Sequence, residues 1–135
     1  MLFVQSALLF SSCINLLPIS GVIGPNKLAQ LYGITISDAN ELLMMRHRAV
    51  LFGAVGGILG ASVVHKPLRR VAYCVGLTSM ASYVLLVLSQ GLQSFNPEIQ
   101  RVFWVDILGV VWLGIAAFID RFGAATEQGL GAKNK

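Results

Sequence analysis

The sequence predicts an all-α protein, a bundle of four transmembrane helices with a short interfacial helix between spans one and two. The 135 residues are 56% hydrophobic and only 12% charged, whereas soluble domains carry about 25% charged residues. The apolar residues fall in four runs, each long enough to cross a hydrocarbon core, which needs roughly 20 residues. Prolines and glycines, which interrupt helices, separate the runs.

The first apolar run extends from Leu2 to about Ile23. No basic residue precedes it, so we expect a retained helix and not a cleaved signal peptide. Pro18 should kink this helix or end its regular part. Proline at Pro25 and glycine at Gly33 then mark the start and the end of a short helix. The leucines and the tyrosine of this helix share one face, which is typical of a helix that lies along the membrane interface.

The second span is predicted from Ala39 to Val64, after a capping signature in which Glu41 follows Asp38 by three residues. About 26 residues span roughly 39 Å at 1.5 Å each, more than a hydrocarbon core of about 30 Å requires. The first turns should therefore project into the headgroups. The segment 46–48, Arg-His-Arg, then falls at the membrane boundary or just inside it.

A basic turn at residues 65–70, broken by Pro67, leads into the third span, predicted from about 68 to 89. The fourth span is predicted from about 97 to 122, with Asn96 as its cap.

Residues 1–122 would then form the four-helix membrane domain, and the polar, glycine-rich residues 123–135 a flexible cytoplasmic tail. Orientation follows from the distribution of lysine and arginine. With four spans, the side that carries both termini and the basic turn has six such residues, and the opposite side has four. The bias favours a multi-pass protein with both its N-terminus and its C-terminus in the cytoplasm.

One carboxylate lies deep in an apolar run. Asp106 is about nine residues into the fourth span, and Arg46 and Arg48 enter the second span at a similar depth from the same face. Ionisable groups inside a membrane are candidates for functional sites. The three residues predict a buried ion pair that locks the two helices together, a polar site for a proton, an ion or a headgroup, or a protonated and unpaired acid at Asp106.

The second span also carries the glycines Gly53, Gly56, Gly57 and Gly60, in overlapping GxxxG patterns. Such patterns let another helix approach closely, either within the bundle or in a homo-oligomer or partner complex. At about 100° per residue, Arg46 projects within about 30° of the glycine face and Arg48 about 130° away from it. Side-chain length keeps both arginines as candidate partners of Asp106.

The remaining residues give no pattern typical of catalysis or of cofactor binding. His47 and His65 lie about 27 Å apart on one helix, and no nucleotide loop, nucleophile–base pair or metal-ligand spacing is present. The basic residues cluster at the ends of apolar runs, which suits lipid headgroups and not nucleic acid. The sequence therefore predicts no enzyme, no cofactor and no metal.

The layout of the chain resembles an uncharacterised family of small four-helix integral membrane proteins, a domain of unknown function. The matching features are Leu31-Tyr32-Gly33, Asn40 with Arg46 and Arg48, the glycine-rich stretch 53–60, the basic turn ending at Arg70, and Asp106. The resemblance covers nearly the whole chain. It implies a location in the bacterial inner membrane and no agreed activity.

Few polar groups and a glycine-lined helix favour a non-catalytic accessory or scaffold protein. It would pack against the lipid bilayer and against itself or a larger membrane-protein partner. The alternative is a small transporter or a proton- or ion-coupled carrier that uses a buried Asp–Arg site.

Overall fold

A computed structural model describes the backbone of residues 1–133 and the side chains of residues 1–121. Every regular element within residues 1–133 is helical, which confirms the all-α prediction. The α-helices are linked by three short 3₁₀ segments, which are Leu17–Ile23, Lys66–Leu68 and Leu92–Ser94. The α-helices are α1 (Leu2–Leu16), α2 (Pro25–Tyr32), α3 (Ala39–Val64), α4 (Arg69–Gln90) and α5 (Pro97–Lys133).

Four helical segments of the described chain are long and apolar enough to cross a membrane, with mean hydropathies between 1.5 and 2.3. They are Leu2–Ile23, Ala39–Val64, Lys66–Gln90 and Pro97–Arg121. Their length and composition make the chain a multi-pass membrane protein. We call the end of the bundle that carries α2 the α2 end, and the opposite end, which carries the Lys66–Leu68 turn, the hairpin end.

The helix boundaries follow the local signals. The α-helical part of the first span ends at Leu16, and a 3₁₀ segment with Pro18 as its second residue continues it, because proline cannot donate the hydrogen bond that an α-helix needs. Gly33 ends α2 in the left-handed conformation, with φ of 63°. Both boundaries agree with the sequence prediction.

The start of α3 is capped by Asp38. Its carboxylate accepts hydrogen bonds from the backbone N–H groups of Asn40, at 2.9 Å, and Glu41, at 3.0 Å. The hydrogen bond from the Glu41 N–H is the main reason that the pKa of Asp38 lies below its ordinary value, with the Asn40 N–H adding to it. The cap is therefore an ionised carboxylate at neutral pH.

The last helix is longer than the sequence predicts. The backbone of α5 stays helical to Lys133, beyond the predicted end at Phe122. Residues 122–133 contain no proline to stop the helix, and their three alanines favour a helix while their three glycines disfavour one. The side chains of this segment lie outside the described residues, so the flexible cytoplasmic tail at 123–135 stays a prediction.

The four spans form a ring in the order α1, α3, α4, α5. Helix α1 packs against α3 and α5, and α4 packs against the same two helices from the other side. As a result, α3 and α5 face each other across the diagonal. The centre is filled by the fully buried side chains of Leu8, Leu59, Met80 and Leu113, one from each span. A residue of α3 can therefore meet a residue of α5 only across the centre of the bundle.

The glycines of α3 lie against α1 and its 3₁₀ continuation. A Cβ atom added at Gly53, Gly56 or Gly60 would lie within 3.0 Å of atoms of this first span, whereas Gly57 has open space around it. The hydroxyl of Ser12 donates a hydrogen bond of 2.8 Å to the carbonyl of Gly56 across the contact. This close approach is the kind of packing that small residues permit in membranes.

Helix α2 is held to the start of α5 by Asn96. Its side-chain amide donates to the carbonyls of Tyr32, at 2.7 Å, and Gly33, at 3.2 Å, while its side-chain oxygen caps α5 by accepting from the N–H of Ile99 at 2.9 Å. These bonds hold Tyr32 in place above the centre of the bundle.

We expect the variant Gly56→Ala to lower the free energy of unfolding by about 1–3 kcal/mol, the usual cost of overpacking. The new methyl group would lie 2.7 Å from the side chain and 3.0 Å from the backbone nitrogen of Leu16. Gly57→Ala is the matched control, one residue away with open space, and should leave stability unchanged or slightly higher. The free energy of unfolding is measured in mixed detergent micelles, with circular dichroism as the probe of helix content. Equal effects of the two variants would contradict the close contact with α1.

We expect Asp38→Ala to increase hydrogen exchange at the amides of Asn40 and Glu41, whereas Asp38→Ser, which keeps a capping oxygen, should change it little. Because the folded pKa is lowered, the stabilisation by the charged cap is complete above the ordinary carboxylate pKa of 3.8. It disappears as the pH falls through the lowered value. Protection that is insensitive to both substitutions would contradict this role of Asp38.

Candidate functional site

A cavity of about 540 Å³ opens between α3 and α4 near the α2 end. Its walls include Tyr32 of α2, Arg48 and Phe52 of α3, Tyr83 of α4, and Phe95 just before α5. Sites for small organic ligands have volumes of roughly 300–1,000 Å³ and mostly apolar walls with a few polar groups. The cavity has the size and the mixed lining of such a site.

The guanidinium of Arg48 is surrounded by three aromatic rings. Its central carbon lies 5.1 Å from the ring centre of Phe52, 5.5 Å from that of Tyr32 and 5.6 Å from that of Tyr83. A cation within about 6 Å of a ring centre is attracted by the negative face of the ring. Because the rings come from α2, α3 and α4, three helices hold this one cation in position.

Arg48 makes no hydrogen bond and no ion pair with residues 1–121. A guanidinium has five N–H donors, and a charged group in an apolar region is costly when its donors lack acceptors. Aromatic rings attract the positive charge but do not replace these acceptors. Arg48 therefore presents its donors at the wall of the large cavity.

Asp106 of α5 is only 7% exposed. Together with Arg48 it lines a second cavity of about 30 Å³, which is room enough for water. Among residues 1–121, no side chain or backbone group donates a hydrogen bond to Asp106, and no basic nitrogen lies within 4.0 Å of its carboxylate. The charge of Arg48 acts on Asp106.

The wall of the small cavity opposite Asp106 is polar. Asn15 of α1 is 2% exposed and donates from its side-chain amide to the carbonyl of Ser11 at 2.9 Å. Its side-chain oxygen accepts a hydrogen bond of 3.0 Å from the hydroxyl of Ser79 on α4. Both residues line the small cavity, so Asp106 has uncharged polar neighbours across this space.

The hydroxyl of Tyr32 stays protonated at neutral pH. Burial raises its pKa above the ordinary value of 10.0, the charge of Arg48 works against this increase, and Asp106 adds to it. Tyr32 therefore offers a neutral O–H group, which can donate a hydrogen bond beside the cation.

The structure brings Arg48 and Asp106 to one site and places Arg46 elsewhere. The side chain of Arg46 is exposed, and its Nε donates a hydrogen bond of 2.8 Å to the carbonyl of Val22 at the α2 end. The glycines Gly53, Gly56 and Gly60 lie on the α1 side of α3 and take no part in either cavity.

An ion pair that the sequence analysis does not predict lies at the hairpin end. The guanidinium of Arg69, a residue only 5% exposed, lies 2.9 Å from the carboxylate of Asp120. The hydroxyl of Tyr73 donates to the same carboxylate at 3.3 Å, and Nε of Arg69 donates to the carbonyl of Ser62 at 3.4 Å. The available signal was topological, because the end of the fourth span and the basic turn must meet at one face of the membrane.

Among the described residues, no cluster of three or more histidine, cysteine, aspartate or glutamate side chains could hold a metal ion. Comparisons with protein-family models, with curated proteins and with solved structures give no match to this chain. The resemblance to a family of small four-helix membrane proteins therefore stays a prediction.

We expect Asp120→Asn to lower the free energy of unfolding by about 1–3 kcal/mol. The loss of the carboxylate leaves the buried guanidinium of Arg69 without its counter-charge, and the cost is below that of a fully buried pair because Asp120 is partly exposed. The double variant Arg69→Met with Asp120→Asn should recover part of the loss, as a double-mutant cycle measures. Strict additivity of the two single effects would contradict a direct coupling.

Proposed function

We propose that this protein is a small proton-coupled carrier in the plasma membrane of a bacterium, and that it binds an organic anion at Arg48. The proposal is supported by the surroundings of the Arg48 guanidinium. Three aromatic rings hold it, its N–H groups have no acceptor in residues 1–121, and Arg48 lines a cavity of about 540 Å³. We also propose that both termini are cytoplasmic, so that the cavity lies towards the outer face.

Arg48 would bind the anion directly. The flat guanidinium can donate two parallel hydrogen bonds to a carboxylate or a phosphate oxygen pair, and such charge-assisted bonds are about twice as strong as neutral ones. The rings of Phe52 and Tyr83 hold the guanidinium from its sides, which reduces the conformational freedom lost when the anion binds.

Asp106 would compete with the anion for the charge of Arg48. When Asp106 is ionised, it partly neutralises Arg48 across the small cavity. When it is protonated, Arg48 is free to pair with the ligand. Among residues 1–121, the other titratable groups that interact with Asp106 are the hydroxyls of Tyr32 and Tyr83, which are neutral at physiological pH. Binding of an anion should therefore favour uptake of a proton at Asp106, and by linkage a lower pH should strengthen binding.

A second candidate function is the accessory or scaffold role. Only 22–33% of the most apolar window of each span is buried inside the bundle, so most of the helical surface must be covered by lipid, by another copy or by a larger membrane protein. Gly57 faces this outer surface with open space around it. Native mass spectrometry of gently extracted protein tests this function, since a companion of fixed stoichiometry would favour it.

The proposed carrier function predicts that Arg48→Gln lowers the affinity for an organic anion by about 10–100-fold, the loss expected for a charged hydrogen bond of about 1.5–3 kcal/mol. Arg46→Gln, which changes the exposed arginine two residues away, is the matched control and should have no effect. Asp106→Asn should bind at least as tightly as the unchanged protein and should lose the dependence of affinity on pH.

The measurement is binding of benzoate to the purified full-length protein in lipid nanodiscs by isothermal titration calorimetry, between pH 5 and pH 8. Melting temperatures of all variants control for loss of folding. Binding that is unaffected by Arg48→Gln, or affected equally by Arg46→Gln, would contradict a specific site at Arg48. A pH dependence that persists in Asp106→Asn would contradict the coupling role of Asp106.

A further inference from the structure

We infer that the anion bound at Arg48 is a single-chain amphiphile, a fatty acid taken from the surrounding bilayer, with its carboxylate on the guanidinium and its chain in the groove between α3 and α4. This inference rests on the proposed function, because it names the ligand class of the same site. It commits to a membrane-derived ligand and not to a soluble anion.

The volume and lining of the cavity favour an apolar chain. A carboxylate fills only a small part of about 540 Å³, and the remaining wall is largely apolar, with Met45, Phe52, Val87, Phe95 and Ile99 among its residues. Apolar ligand surface that leaves water for such a wall contributes about 25 cal/mol per Å². A small soluble anion would leave this part of the cavity without a ligand contact.

The large cavity, which forms the groove between α3 and α4, opens laterally on the outer surface of α4. Ser82, Leu86 and Gln90 line the cavity, and all three are exposed, Leu86 to 62%. They follow one another at intervals of four residues, so they form one stripe along the helix. Because this stripe belongs to the span Lys66–Gln90, the opening faces lipid over much of its length, and a chain could enter from the bilayer without passing through water.

The length of the groove matches one extended chain. Along α4 the lining runs from Ser79 to Gln90, which corresponds to about 16 Å at 1.5 Å per residue. A cavity of this volume holds one acyl chain but not the two chains of a phospholipid together with the headgroup.

The charges favour a monoanion. Arg48 supplies one positive charge, and Asp106 supplies none whether it is protonated or ionised, so the site can balance only one negative charge on the ligand. A dianionic headgroup such as a phosphate monoester would keep an uncompensated charge in a region of low dielectric constant, which is costly. A single carboxylate accepts from the guanidinium, and its one charge is balanced by that of Arg48.

The test uses radiolabelled laurate as the probe and the full-length protein in nanodiscs of phosphatidylcholine, with scintillation proximity as the readout. We expect saturable binding of one laurate per protein. Arg48→Gln should weaken it at least tenfold, and Arg46→Gln should not change it. Dodecanol, which has the chain without the charge, and acetate, which has the charge without the chain, should each compete at least tenfold more weakly than unlabelled laurate.

A second variant tests the lateral opening without changing the cation. Leu86→Trp places a bulky side chain at the opening of the groove and should weaken laurate binding about tenfold, while benzoate binding stays within twofold. The corresponding control is Leu85→Trp, at the neighbouring residue, which is similarly exposed but does not line the cavity. It should leave both ligands unaffected.

The outcomes separate the two proposals. If benzoate binds through Arg48 but laurate does not, or if dodecanol binds as tightly as laurate, the fatty-acid inference is overturned and the anion site stands. If neither benzoate nor laurate depends on Arg48 in variants that fold normally, both proposals are overturned. Competition by phosphatidylglycerol at least as strong as that by laurate would replace the single-chain ligand by a two-chain lipid and would also overturn the inference.

Discussion

The close contact between α1 and the glycine face of α3 sets the rotation of α3, and the position of Arg48 depends on it. Because Gly53, Gly56 and Gly60 face the first span, a different side of α3 faces α4. Arg48 projects on that side, and it therefore meets the ring of Tyr83. A rotation by one residue would move the arginine away from Tyr32 and Tyr83, and only its contact with Phe52, which lies on the same helix, would remain.

The sequence was sufficient for the elements and their boundaries, because those depend on local chemistry. Pro18, Gly33 and Asp38 mark helix ends through the backbone geometry or the hydrogen bonds of each residue alone, and the structure agrees at all three. The end of α5 is the exception, since a run with alanines and without proline has no firm stop. No local signal separates a frayed tail from a continued helix there.

The site was predictable only in part. The depth of Asp106 in an apolar run marks it as a candidate, but the choice between Arg46 and Arg48 depends on which neighbour each side chain meets. The ring order of the helices decides this, since α3 and α5 lie on the diagonal and Arg48 approaches Asp106 across the centre. The cavity beside Arg48 is a property of packing between α3 and α4, and helical periodicity contains no information on unfilled volume.

The two acid–arginine sites of the bundle differ in a way that bears on function. At the hairpin end, Arg69 and Asp120 are in direct contact at 2.9 Å, with Tyr73 completing the cluster. At the α2 end, Arg48 and Asp106 form no such contact; both line a small cavity, and Arg48 also lines a larger one. If packing alone had shaped the second site, direct contact would cost less than two separated charges, because opposite charges attract more strongly at short range in an apolar medium. The separation leaves the guanidinium available to a ligand.

The packed side chains on the hairpin side of the site determine from which directions Arg48 can be reached. Met80 lines the small cavity and is fully buried together with Leu59 and Leu113. A Cβ added at Gly76 would meet Leu59 and Leu113 at about 3 Å, so α4 packs tightly here, and the Arg69–Asp120 pair closes the bundle further along. The described conformation therefore gives access to Arg48 from the α2 end and from the side of the bundle, and blocks the path to the hairpin end. The proposed anion binding would require no change in this layer, whereas the proposed transport would require α4 to move relative to α3 and α5. The tight contact at Gly76 and the hairpin ion pair are the two interactions that such a movement would have to break.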